Sequence, residues 1–299
     1  MKRTIKYLAS VILSLLLIFS FIALTCSVLL RGRALNPAAY DRIVAEQHLT
    51  DKISVRLTNY FTQQENTTGI PVSVYAESLK PENLEPVVDI TLRKLFDYVY
   101  GVASDTETKP DFTVLEGDLR KFFEQYAEEN GIARDAAFED ALRKNMDAAE
   151  KKITAECDVF KTGSLAEAGL LGKARKIYPL TVWLIPVTGA FTLLLLLILF
   201  LMYRRTVDRW FYWVASSVLV SSILMLVPSA WLSATNWFDR FAVKSEQIFA
   251  AVTGFLYGLT HTVTVYAVCG IAAAVLLYVI AGICGTVRHR KETVRNAKH

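Results

Sequence analysis

The side chains able to do chemistry are concentrated in residues 36–176, which carry 18 Lys+Arg against 25 Asp+Glu, a balance of −7. Around positions 124–129 and along 135–156 these carboxylates interleave with Lys and Arg at three- and four-residue spacing. That is the pattern of a solvated helix face; an acid/base pair needs two carboxylates set apart from neutralising partners. His48 and His261 stand alone in the sequence, and Cys157 is the single thiol of the charged stretch, since Cys26, Cys269 and Cys284 fall in apolar runs. No disulfide framework, zinc-binding histidine pair, phosphate-binding glycine loop or nucleophile elbow is present. These residues predict no catalytic residue, no metal, no cofactor and no enzymatic activity.

Hydroxyls form a second group. Ser216, Ser217, Ser221 and Ser222 lie in one apolar run, and Ser217 and Ser221, four residues apart, share a helix face. Such a face can line a polar path, but serines in a membrane helix more commonly let helices approach and hydrogen-bond. The basic tail RHRKETVRNAKH is suited to anionic lipid head groups and is too short for nucleic-acid binding.

The elements that must carry these groups follow from hydropathy. The 299 residues are 53% hydrophobic and contain four uncharged runs, residues 7–30, 178–203, 210–233 and 261–287. About 20 apolar residues cross the hydrocarbon core, and only a helix satisfies its own backbone there. The predicted fold is therefore an all-α membrane protein with four transmembrane helices and a mostly helical extracytoplasmic domain between the first and second.

Topology follows from the flanking cations. Lys2, Arg3 and Lys6, then Arg204, Arg205 and Arg209, then Arg288, Arg290, Lys291, Arg295 and Lys298 fall in three short segments that four spans place on one side. The positive-inside rule makes that side cytoplasmic in a plasma membrane. The expected order is a cytoplasmic N-terminus (1–6), span 1 as a retained signal anchor (7–30) and an extracytoplasmic domain (31–176). Span 2 (177–203), a cytoplasmic turn (204–209), span 3 (210–233), an outer amphipathic loop (234–260), span 4 (261–287) and a cytoplasmic tail (288–299) complete it.

Within the domain, helices are expected after Asn36-Pro37, after Thr50, from Pro81 to Gly101, over Leu119–Tyr126 and from Ala133 to Cys157, with a short extended piece at Val72–Tyr75. In the outer loop Trp237, Phe238, Phe241 and Phe249 recur at helical spacing, which predicts an amphipathic interface segment on the outer leaflet or against the domain. Pro186 lies inside span 2 and deprives the Val182 carbonyl of its donor, so a hinge is expected there with Gly189.

The order of spans and outer segments is similar to that of claudin-like proteins. Their first outer segment carries a Trp–Gly-Leu-Trp–Cys–Cys signature, whereas residues 31–176 here contain no tryptophan and one cysteine, so no family residues transfer. The spans hold no Asp, Glu, Lys or Arg, which argues against a coupled transporter. The expected function is display of the helical domain for protein–protein interaction, as an accessory, assembly or sensing subunit with a protein partner or as a homo-oligomer. The alternatives are a channel or permease subunit with a serine-lined path and, ranking lower, a membrane enzyme acting on lipid or cell-wall precursors.

Overall fold

The computed structural model describes residues 2–243 and 245–296, with side chains from Thr4 to Arg290. Lys244 and Lys298, and the side chains of Lys2, Arg3, Lys291 and Arg295, lie outside that description. The chain is 84% helical, with no strand among the described residues. Helix α1, Lys2–Leu29, runs into a π turn, Leu30–Ala34; α2 is Pro37–Glu46 and α3 Leu49–Thr68. A 3-10 turn, Val72–Val74, precedes α4, Pro81–Tyr100; then come α5, Thr113–Glu129, α6, Ala136–Cys157, and α7, Thr162–Glu167. Helix α8 is Leu170–Tyr203 and α9 Val207–Ala234; after a 3-10 turn at Trp237–Arg240, α10 runs from Glu246 to Asn296. Four of these, α1, α8, α9 and α10, are long and apolar enough to cross a membrane.

The chain divides into two compact units. The span unit comprises the chain up to Leu35, Pro179–Arg240 and everything from Leu256 onward. The inserted unit comprises Asn36–Tyr178 and Phe241–Phe255.

Local chemistry explains the inserted unit's helices. The Asn36 side chain caps α2 by accepting from the Ala38 amide at 3.2 Å, and Asp135 caps α6 by accepting from Ala137 and Phe138. Pro81 occupies the first turn of α4 and Gly101 closes it at φ +81°, a left-handed conformation that glycine adopts without strain. Each helix turns one stripe inward. Leu49, Ile53, Leu57 and Phe61 of α3 meet Leu84, Val87 and Val88 of α4, Leu115 and Leu119 of α5, and Leu142 and Ile153 of α6 in one core. Val72–Val74, expected as extended, is a single 3-10 turn that places Tyr75 in a stack on Phe61, ring centroids 4.0 Å apart. The aromatic stack supplies what strand pairing would have, since no neighbouring strand exists among the described residues to pair with.

In the span unit, interhelical hydrogen bonds join hydroxyls where the low-dielectric surroundings would leave them unsatisfied. Ser10 of α1 meets Tyr203 of α8 at 2.7 Å, and Ser20 meets Thr192 at 2.6 Å. On the other flank of α1, Ser14 meets Ser217 of α9 at 2.8 Å. Helix α10 joins α9 through Ser216–Tyr278 (2.8 Å), Thr264–Ser229 (3.0 Å) and the ion pair Arg288–Asp208 (2.7 Å). At Gly270 a Cβ would strike the Ser222 side chain of α9. The remaining surface is aliphatic and exposed, as with Leu193, Val227 and Leu276, the arrangement expected of helices solvated by lipid.

Candidate functional site

The most elaborate polar arrangement of the inserted unit lies where residues 241–255 join it, and its centre is Glu156, a carboxylate only 7% exposed near the end of α6. Three donors converge on it: Lys152 Nζ at 2.7 Å, Arg56 Nε at 2.9 Å and Gln247 Nε2 at 2.8 Å. Arg56 also donates through Nη1 to Ser245 Oγ at 3.1 Å and to Gln247 Oε1 at 3.4 Å. The Gln247 carboxamide, 1% exposed, is therefore held at both ends, its NH2 by the carboxylate and its oxygen by the guanidinium. Burial acts to raise the Glu156 pKa. The Lys152 hydrogen bond and the charges of Lys152, Arg56 and Lys161 outweigh it, so the carboxyl sits below its ordinary value and is ionised at neutral pH.

Small residues seat the same segment. Ala250 and Ala251 are buried in the core, and Gly254 lies so close to α2 that a Cβ would come within 2.9 Å of Gln47 and 3.2 Å of Ile43. Phe255 stacks on Tyr40, ring centroids 5.2 Å apart, and burial pushes the Tyr40 phenol up to about 12. What this constellation can do is fasten: it joins three segments distant in sequence through a buried, fully partnered charge. Beside it Cys157, 0% exposed, has its thiol pushed up to about 12 by burial and by the charges of Glu156 and Asp158, so it is chemically inert in the folded unit.

A second feature of the inserted unit is a groove of about 630 Å³, lined by Thr91, Thr106, Thr108, Lys109, Glu150 and Asp158 among others. Its size is that of a small-molecule pocket. The Glu150 carboxyl on its wall is raised above its ordinary value by burial and by Glu116 and Asp147. Among the described residues no group of three or more His, Cys, Asp or Glu is placed to hold a metal ion.

The residues singled out by sequence are dispersed. Ser217 is fully buried, donates to the Trp213 carbonyl at 3.0 Å and meets Ser14; Ser221, 4% exposed, donates to the Val218 carbonyl at 2.9 Å. Pro186 lies on the exposed surface of α8, which continues through it, and a Cβ at Gly189 would meet nothing within 4 Å. Just beyond Pro186, Thr188 donates to the carbonyls of Leu184 and Ile185 at 2.6 and 3.3 Å.

The aromatic loop divides between the units. Trp237 packs on Trp231 and Phe238 on Tyr257 in the span unit, whereas Phe241 and Phe249 belong to the inserted unit. Within the stretch expected as an outer amphipathic loop, 234–260, residues from Glu246 onward are the first turns of α10. The face that is buried there is Gln247, Ala250 and Ala251, and Phe249 is only half-buried. Glu156, Arg56 and Gln247 carried no local signal, because each looks like an ordinary surface residue within its own helix.

No protein-family model, curated protein or solved structure matches the chain.

Proposed function

We infer that this chain is a four-span membrane protein that displays its inserted unit outside the membrane to a protein partner, acting as an accessory, assembly or sensing subunit without catalysis of its own. Both termini lie in the cytoplasm of a plasma-membrane protein under this reading, and α1 is a retained signal anchor. The observation that carries it is the separate closure of the inserted unit: it has its own core, and residues 241–255 return to complete it through Gln247, Ala250 and Ala251. A chain that devotes about half its length to such a unit needs something for its surface to meet.

The channel reading receives less support, because the Ser217 hydroxyl is engaged with Ser14 in helix packing. Cross-linking in intact cells, followed by mass spectrometry, tests the proposal. A recurrent partner cross-linked to the inserted unit is expected, and recovery of the uncross-linked monomer alone counts against it.

A further inference from the structure

We propose that the span unit carries a site for the phosphate head group of an anionic phospholipid at the corner where α1 meets the end of α8. The corner is built around Tyr203, which is 4% exposed. Ser10 Oγ donates its proton to the Lys6 carbonyl at 2.8 Å, so in the 2.7 Å contact the Tyr203 hydroxyl is the donor to Ser10. The ring is thereby fixed, and Lys6 Nζ lies over it, 4.3 Å from its centroid. A cation held over an aromatic face keeps its outward N–H groups available, unlike one folded into an ion pair.

Arg204 and Arg205 follow Tyr203 directly and are exposed, and Arg209 is exposed across the turn on α9. Among the described side chains at this end of the unit, residues 4–6, 203–210 and 281–290, the carboxylate is Asp208. It is engaged by Arg288 at 2.7 Å and so does not neutralise the corner.

The surroundings fix the class of ligand. Tyr7 and Leu8 beside Lys6, and Leu201 beside Tyr203, are exposed, so the cations adjoin apolar helix surface in the sequence. A ligand filling this corner presents a negative head group to Lys6, Arg204 and Arg205 while its hydrocarbon lies along α1 and α8. That is the chemistry of a phospholipid rather than of a soluble anion or an acidic peptide. The inference rests on these helices crossing a membrane and holds whichever leaflet this end faces.

The test uses the full chain in phosphatidylcholine nanodiscs, comparing spin-labelled phosphatidylglycerol with spin-labelled phosphatidylcholine. About tenfold or greater preference for phosphatidylglycerol is expected, falling roughly fivefold for each charge removed in R204Q and R205Q. R204K/R205K, which keeps the charges and guards against a folding defect of the neutral variant, is expected to retain it. R31Q/R33Q, at the other end of α1, is expected to leave it unchanged. Equal affinity of wild type for both lipids overturns the site, as does equal loss in R31Q/R33Q, or displacement of the labelled lipid by glycerol phosphate or a polyglutamate peptide. A chain that does not enter the discs contradicts the membrane reading itself, a failure distinct from absent lipid preference.

Discussion

Glu156 shows how a single buried charge can be stabilising or ruinous according to its partners. With Lys152, Arg56 and Gln247 in place its lone pairs are occupied; with one removed, the charge remains buried with a donor missing. Gln247→Ala is expected to lower the stability of the inserted unit by about 1–2 kcal/mol in chemical denaturation, the cost of leaving a buried acceptor underserved. Glu156→Gln is expected to cost about 1–3 kcal/mol at neutral pH, below the range for fully buried pairs because Arg56 is 44% exposed.

The sign of the pH dependence follows from the depressed pKa of Glu156. A folded-state value below the unfolded one contributes stability that is present above the unfolded pKa, roughly 4.3, and is lost as pH falls through the folded value. The gap between wild type and Glu156→Gln should therefore close in acid; a gap that stays constant down to pH 3 would show that the charge is not its source. Cys157 yields a third expectation: buried and with its thiol near 12, it should resist a membrane-impermeant maleimide until denaturant is added. Rapid modification of the native protein would contradict the packing at the end of α6.

At the scale of elements, much was legible because the signals are local. Hydrophobic runs located the four long helices, and Asn36, Pro81 and Gly101 marked helix ends that the structure keeps, whereas the helix expected from Ala133 starts at Ala136, after the Asp135 cap. The continuity of α10 was not legible, since the polar partners that fix Ser245 and Gln247 are 90 or more residues away in the chain. Burial of Gln247 is a tertiary fact, invisible to periodicity.

Two substitutions probe the long helices. Gly270→Leu would push its side chain into Ser222, so α9 and α10 should part or repack, with a loss of about 1–3 kcal/mol in thermal unfolding in detergent. Full wild-type stability would mean that the close approach at Gly270 is not a packing contact. Pro186→Ala gives the Val182 carbonyl its donor back and should stabilise α8 by about 1 kcal/mol. If neither stability nor any cellular phenotype moved, α8 would be an anchor without a hinge.

For the whole molecule, the proposed function requires the inserted unit outside the membrane and the cation-rich turns inside, the sidedness expected from the charge division of the sequence. The measurement that bears on this most directly is site-specific labelling in intact cells. Inert Cys157 is first replaced by Ser, and a single cysteine is introduced as Glu128→Cys on the exposed end of α5. Complete reaction of Glu128→Cys with a membrane-impermeant maleimide before lysis is expected, while a cysteine introduced as Arg205→Cys reacts only afterwards. Labelling of Glu128→Cys only after lysis, with Arg205→Cys reactive in intact cells, would place the inserted unit on the cytoplasmic side and contradict the proposed topology.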